Sequence, residues 1–291
     1  MLLVIAVWGT TATVEAVSLR TLSPLQFTMW STVFGAVGAL FCLIATGSAK
    51  ELRSFRPPVF ALLFVLSMFG FAGYFVLKYT AYSTSPIPQA NVLQYTFTLF
   101  IVLFAVPVLR QRLSPAKLAG VLVGLLGAAV VLTGGRLIAI ERAHITGYLC
   151  ALGAGISFAV FSVFAEKTTL KRLSALFFYH AYSAVVLFIV LAVSGGLVLP
   201  GSPRELAGAF YSGFVSNVLG MLLWLHAQGA SKDVSIPTGL LYFVPFVSLA
   251  CFRVFLGLII PMSAYVGLAL IVGGMFIHTV RGKNERERNG Q

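Results

Sequence analysis

Ser85-Pro86-Ile87-Pro88-Gln89-Ala90-Asn91-Val92-Leu93-Gln94-Tyr95-Thr96-Phe97-Thr98 opens an apolar run that ends near Val108. Two prolines stand at its entrance, where a helix tolerates them. Asn91, Gln94, Tyr95 and Thr98 follow at i, i+3, i+4 and i+7, which puts them on one helical face. The remaining positions are mostly Val, Leu, Ile, Phe and Ala. About 147 residues later the pattern returns as Thr238, Leu241, Tyr242 and Pro245, again behind a proline, Pro237. The two stretches read as corresponding helices of two repeats whose polar faces meet mid-molecule.

The whole chain shares this apolar character. Of its 291 residues 59% are hydrophobic and 10% charged, where a soluble domain carries about a quarter charged. Repeated apolar runs of roughly 20 residues are each long enough to cross the hydrocarbon of a bilayer. The class is an all-α integral membrane protein; the short alternating segments of a barrel are absent. The net charge of +12 is not a nucleic-acid signature, because the basic residues lie between apolar spans, where cytoplasmic loops collect them. Cys42, Cys150 and Cys251 are scattered inside spans and read as small core residues. The N-terminus lacks a basic n-region, and Glu15 and Arg20 stand where a cleavage site would be, so it reads as a first span.

Ten spans can be marked, at about 2–19, 25–46, 58–79, 86–108, 115–134, 146–166, 174–198, 205–227, 235–257 and 262–280. A charged tail, 281–291, is expected to fray. With the N-terminus in the cytoplasm, 14 basic residues fall inside: Lys50, Arg53, Arg56, Arg110, Arg112, Lys117, Lys167, Lys171, Arg172, Lys232, Arg281, Lys283, Arg286 and Arg288. Six fall outside: Arg20, Lys78, Arg136, Arg142, Arg204 and Arg253. That bias places both termini in the cytoplasm.

The halves echo one another. Leu22-Ser23-Pro24-Leu25-Gln26-Phe27 returns as Leu173-Ser174-Ala175-Leu176-Phe177-Phe178, and Leu93 to Gly127 as Leu240 to Gly274, with Gly120 matched by Gly267. Each half, 1–135 and 146–280, holds five spans. Five is odd, so the second half enters the membrane from the opposite side. The expected architecture is ten transmembrane helices as two inverted five-helix repeats, with substrate bound between them at the midplane.

Candidate site residues follow from polar positions inside spans. Glu15 shares a face with Trp8 and Thr11 and is the one acid deep in a span; a buried carboxylate there needs a cavity or a partner. It is either an ammonium-binding or proton-carrying group, or else a partner of Arg20 or a carboxylate near the outer water. Lys78, one turn after Tyr74, either meets a substrate carboxylate or, the preferred reading, snorkels to the outer interface. His180 is a proton-sensitive group or a neutral, hydrogen-bonded packing residue. Asn217, Met221, Trp224 and Gln228 form a stripe that suits a zwitterion with an apolar side chain, or helix–helix hydrogen bonds. Ser157 and Phe161 share a face with Phe164. Together with Asn91, Gln94, Tyr95 and Tyr242 these residues are the candidate substrate contacts. The glycines of the fifth and tenth spans permit close helix contact. No metal, phosphate-cradling or nucleotide-binding motif is present, so neither a cofactor nor an ATP-driven pump is expected from this chain.

At Trp8-Gly9, at Leu22-Ser23-Pro24, at Leu77-Lys78-Tyr79 before the tyrosine-containing fourth span, and at Gly120, Gly124 and Gly127, the chain resembles the drug/metabolite transporter superfamily in its ten-helix EamA-type branch. Leu223-Trp224-Leu225, Tyr242-Phe243-Val244-Pro245, Gly267 and Gly273-Gly274 continue the likeness, most closely to exporters of aromatic amino acids. Two departures stand out. Thr98 replaces the family's frequent fourth-span proline, which Pro245 keeps in the second half. Gln111, between Arg110 and Arg112, stands where the family often has an acid, and the second half has Ile259 or Ile260 there. The resemblance implies a secondary transporter in a bacterial-type inner membrane that exports amino acids, aromatic and large apolar ones preferred, by alternating access. Its drive would be a substrate or proton gradient. Membrane lipid and the small-molecule substrate are the expected partners, and nucleic acid is not. A channel or a membrane-embedded enzyme acting on a small or lipid substrate is the alternative.

Overall fold

The computed structural model describes residues 1–53, 57–110, 114–135, 142–166, 171–231 and 240–288. Among them there is no strand. Seven helices are long and apolar enough to cross a membrane: α2 (Pro24–Ala45), α3 (Pro58–Thr84), α4 (Ile87–Leu109), α5 (Pro115–Leu132), α6 (Arg142–Glu166), α7 (Arg172–Val193) and α8 (Pro203–Gly229). Three more have shorter apolar stretches: α1 (Leu2–Ser18), α9 (Leu241–Leu256) and α10 (Met262–Arg288), the last apolar over Met262–Phe276. The tail expected to fray is thus helical as far as Arg288. Thr238 and Pro237, and Gln111 with Arg112, lie outside the described residues.

The helix starts follow from local chemistry. Ser23 and Gln26 close a reciprocal capping box over the first turn of α2, with Pro24 at its first position, which satisfies two backbone N–H groups that would otherwise lack partners. Ser114 before Pro115 and Ser202 before Pro203 cap α5 and α8 from one side only, accepting from the backbone N–H of Lys117 and of Glu205. Gly47 and Gly195 follow α2 and α7 with left-handed backbones, a conformation that glycine adopts without penalty.

The polarity of the assembly is inverted relative to a soluble protein. Phe41, Ile44, Leu122, Leu126, Val185 and Ile189 point outward, while Thr28, Thr32, Ser174, Ser183 and Ser212 are fully buried. Apolar outside and hydrogen-bonded hydroxyls inside is the arrangement a lipid solvent imposes. The chain is therefore a multi-pass helical membrane protein.

Small residues set the closest helix contacts. A Cβ on Gly127 would strike the Gly267 carbonyl, and one on Gly274 the Gly120 carbonyl, so α5 and α10 meet backbone to backbone. Gly9 brings α1 onto Val247 of α9, Gly155 brings α6 onto α4 at Gln94–Phe97, and Gly213 sets α8 against the Ser31 carbonyl of α2.

Three irregularities depart from smooth helices. α4 breaks at Tyr95–Thr96 instead of running straight through. There the Thr96 hydroxyl donates to the Leu93 carbonyl at 2.7 Å and that of Thr98 to the Tyr95 carbonyl at 2.9 Å, competing with the helical ladder. Wide π-helical turns span Met68–Gly73 in α3 and Tyr211–Leu219 in α8. Finally, α3 runs to Thr84, past the expected end at 79. The hydroxyls of Thr80, Ser83 and Thr84 each donate to the carbonyl four residues back, so this polar segment satisfies its hydroxyls within its own helix. That extension puts Lys78 well inside the helix.

Candidate functional site

A cavity of about 550 Å³ lies at the centre, walled by α1, α3, α4, α6, α8 and α9 with contributions from α5 and α10. Eleven predicted residues line it: Trp8, Thr11, Glu15, Tyr74, Lys78, Asn91, Gln94, Tyr95, Phe161, Asn217 and Tyr242. Tyr95 and Tyr242, matched in sequence, thus reach one cavity from α4 and α9.

The charged end of the cavity is an ion pair. Lys78 Nζ lies 2.7 Å from Glu15 Oε2 and donates to Oε1 at 2.9 Å. Tyr79 donates to Oε1 at 2.9 Å and Ser212 at 3.2 Å. Oε1 therefore has three donors, whereas Oε2 has, among the described residues, the close ion-pair contact with Lys78 and no hydrogen bond. The Lys78 ammonium lies within 6 Å of four ring centroids, those of Tyr74, Phe75, Tyr79 and Tyr82, whose faces attract a cation. Glu15 is fully buried and Lys78 nearly so. Removing one member of such a pair strands a buried charge, at a typical cost of about 3–5 kcal/mol. Two sequence expectations are corrected here. Glu15 does not pair with Arg20, and Lys78 does not snorkel outward; the longer α3 carries it to the carboxylate.

A relay of side-chain hydrogen bonds runs from this end to α4. Asn91 Nδ2 donates to the Tyr82 hydroxyl at 2.9 Å, Tyr82 donates to Gln94 Oε1 at 3.1 Å, and Gln94 Nε2 donates to the Tyr74 hydroxyl. Asn91 Oδ1 and Asn217 Nδ2 are buried without a partner among the described residues. Tyr95 of α4 and Ser248 of α9 both line the cavity. On the α1 side the Trp8 indole donates to the Ser216 carbonyl at 3.0 Å, and the Thr11 and Ser216 hydroxyls stand 2.8 Å apart. Aromatic rings supply much of the rest: Phe158 packs on Tyr74 and Phe97 with centroids 4.9 and 5.1 Å away, and Phe161 on Phe71 at 5.6 Å.

Three candidates stand outside the cavity lining. Ser157 donates to the Phe69 carbonyl at 2.7 Å, tying α6 to the π-helical stretch of α3. His180 is fully buried edge-on against Phe71 at 4.7 Å, in the space that Gly35 leaves open. Neither of its nitrogens finds a partner among the described residues, so it packs without the expected hydrogen bond. Trp224 is not part of the lining, although Asn217 and Met221 of the same stripe are; its ring backs Trp8, a lining residue, at 6.2 Å. Sequence reasoning missed Tyr79 and Ser212, which hold Glu15, and Phe158, Tyr82 and Ser248. Tyr82, four residues after Lys78, carried a usable signal, since that spacing shares a helical face; Ser212 carried none.

A family model described as the EamA-like transporter family matches residues 1–133. The chain is 32% identical over 170 residues to the aromatic amino acid exporter YddG of Ancylobacter novellus, covering 56% of this chain and 55% of that one. The match thus spans little more than half of that exporter's length. To a probable terminal-alkyne amino-acid exporter of Streptantibioticus cattleyicolor it is 30% identical over 213 residues, 72% of this chain and 69% of that protein. An uncharacterized transporter of Archaeoglobus fulgidus aligns over 94% of this chain and 95% of its own at 23% identity. A protein of known crystal structure shares the fold, with a TM-score of 0.67 at 23% identity, over 97% of this chain and 96% of that one. With these relatives and this helical architecture, the chain belongs to the EamA-like transporter family, the drug/metabolite branch that its motifs resemble.

Proposed function

We propose that the protein is a secondary transporter that exports amino acids, aromatic and large apolar ones preferred, by alternating access around the central cavity. The observation that carries this reading is the cavity's composition: one internally neutralised ion pair in an apolar cavity rich in aromatic rings. Its volume of about 550 Å³ falls in the roughly 300–1,000 Å³ range of small-molecule sites. The rings of Tyr74, Phe158, Phe161, Tyr95 and Tyr242 would take an apolar side chain. The unpartnered Asn91 Oδ1 and Asn217 Nδ2 offer one acceptor and one donor to the polar end of a substrate.

Alternating access needs two halves that move against each other, and the helix pairing supports two inverted repeats, 1–135 and 146–280. Exchanging α1–α5 with α6–α10 turns the α1–α9 contact into α6–α4 and the α2–α8 contact into α7–α3; all four occur. The α2–α7 and α5–α10 pairs map onto themselves. The π-helical stretches fall in α3 and α8, which correspond, and α4 and α9 both end in left-handed residues, Arg110 and Gly257, 147 positions apart. Both termini lie in the cytoplasm of a bacterial-type inner membrane on the basic-residue bias. The test is flux of an amino-acid panel in proteoliposomes, with and without an imposed pH gradient. Saturable flux that favours aromatic substrates supports the reading, and no flux of any amino acid rejects it.

A further inference from the structure

We infer that the Glu15–Lys78 pair is the zwitterion filter of the cavity: a substrate α-ammonium takes Glu15 and its α-carboxylate takes Lys78, so that one internal ion pair is exchanged for two. This rests on the amino-acid reading above and adds to it the reason why both charges must sit on one substrate.

The geometry of the pair supports insertion. Glu15 and Lys78 both line the cavity, while Tyr79 and Ser212, behind the carboxylate, are not part of its lining. Tyr79 and Ser212 hold Oε1 from the protein side, so the carboxylate stays in place when Lys78 withdraws. Oε2, which among the described residues has the ion-pair contact with Lys78 at 2.7 Å and no hydrogen bond, is the oxygen that an incoming ammonium would reach. Lys78 in turn stays within reach of four aromatic rings, which keep a partly desolvated cation tolerable.

The charge accounting sets the selectivity. A zwitterion brings one positive and one negative charge, so both members of the opened pair are matched and the net charge of the cavity does not change. A lone amine would match Glu15 but strand Lys78, and a lone acid would strand Glu15. A stranded charge in a low-dielectric site is strongly unfavourable, so both single-charge ligands are rejected by the partner that they leave behind. The neutral atoms Asn91 Oδ1 and Asn217 Nδ2 do not discriminate in this way, which makes the ion pair the specificity-determining element.

The test uses three ligands with the same ring: phenylalanine, phenethylamine and 3-phenylpropionate. Each competes with radiolabelled phenylalanine, or stabilises the purified full-length protein against heat, in wild type, Glu15→Gln and Lys78→Gln. Wild type is expected to bind phenylalanine at least about tenfold more tightly than either single-charge ligand. Lys78→Gln should turn the preference to phenethylamine, and Glu15→Gln to 3-phenylpropionate, each by about tenfold. Phenylalanine binding with the wild-type ligand order kept in both variants overturns the filter and leaves the amino-acid reading standing. If a single variant fails to fold, the wild-type comparison decides: equal affinity for all three ligands overturns the filter. A wild-type protein that binds none of the three rejects the amino-acid reading, and the filter with it.

Discussion

Lys78 Nζ lies 2.7 Å from Glu15 Oε2, although the two residues come from different helices, 63 positions apart. The contact joins α3 to α1 at the wall of the central cavity, and it makes the stability of the assembly depend on a matched pair of charges. Lys78→Ala should therefore lower stability by about 3–5 kcal/mol, because it leaves a buried carboxylate without its cation. The double variant Glu15→Gln with Lys78→Gln, which buries no charge, should recover most of that loss. Thermal unfolding in detergent reads the effect. A single variant as stable as wild type would mean that the pair is solvated and not buried.

The second prediction concerns α5 and α10. Gly127→Leu and Gly267→Leu each put a side chain where a facing backbone carbonyl now stands. Both should prevent these helices from closing, since interfaces of small residues depend on close backbone approach. Yield and monodispersity after purification check this; wild-type behaviour of both variants would contradict it.

A third prediction follows from Tyr95 and Tyr242. Both line the cavity, one from α4 and one from α9. Tyr95→Ala and Tyr242→Ala should weaken apparent affinity for phenylalanine by about 1 kcal/mol more than for alanine, the worth of one aromatic contact. Equal losses for phenylalanine and alanine would exclude both rings from the substrate site.

Topology supplies the fourth. Lys171 Nζ lies 3.0 Å from Glu51 Oε1, and Ser174 donates to the same carboxylate, so the α2–α3 and α6–α7 connections share one side of the membrane. Lys171 beside it holds the Glu51 carboxyl below its ordinary range. Reporter fusions should place both connections, and both termini, in the cytoplasm. Labelling of a cysteine at position 53 by an impermeant reagent in intact cells would reverse the orientation.

Much of this was legible in the residues themselves. Proline after serine marked the starts of α2, α5 and α8, glycine spacing marked the α5–α10 contact, and polar residues at helical spacing marked the α1 and α4 walls of the cavity. Each is a local signal that short-range chemistry enforces. What sequence spacing could not convey was phase and partnership. Trp224 shares a stripe with Asn217 and Met221, which line the cavity, but it packs behind Trp8 instead. α3 runs beyond its apolar stretch to Thr84, with the hydroxyls of Thr80, Ser83 and Thr84 satisfied by its own carbonyls, and Lys78 therefore lies inside the helix and not at its end. The pairing of Lys78 with Glu15, and the support from Tyr79 and Ser212, are tertiary facts that no periodicity contains. His180 reads as either a proton-sensitive or a packing residue; it fills the gap that Gly35 leaves and, among the described residues, lacks the hydrogen bond expected of a packing histidine.

The claim at the centre of this account is that the cavity carries amino acids across the membrane. Its most direct test is export of radiolabelled phenylalanine from proteoliposomes holding the purified protein, measured over a range of internal concentrations with and without a pH gradient. The account predicts flux that saturates, that excess unlabelled tryptophan inhibits, and that is lost when Tyr95 and Tyr242 are both replaced by alanine in a protein of unchanged yield. Flux that rises linearly with concentration, or no flux above protein-free vesicles for any amino acid in the panel, would contradict it.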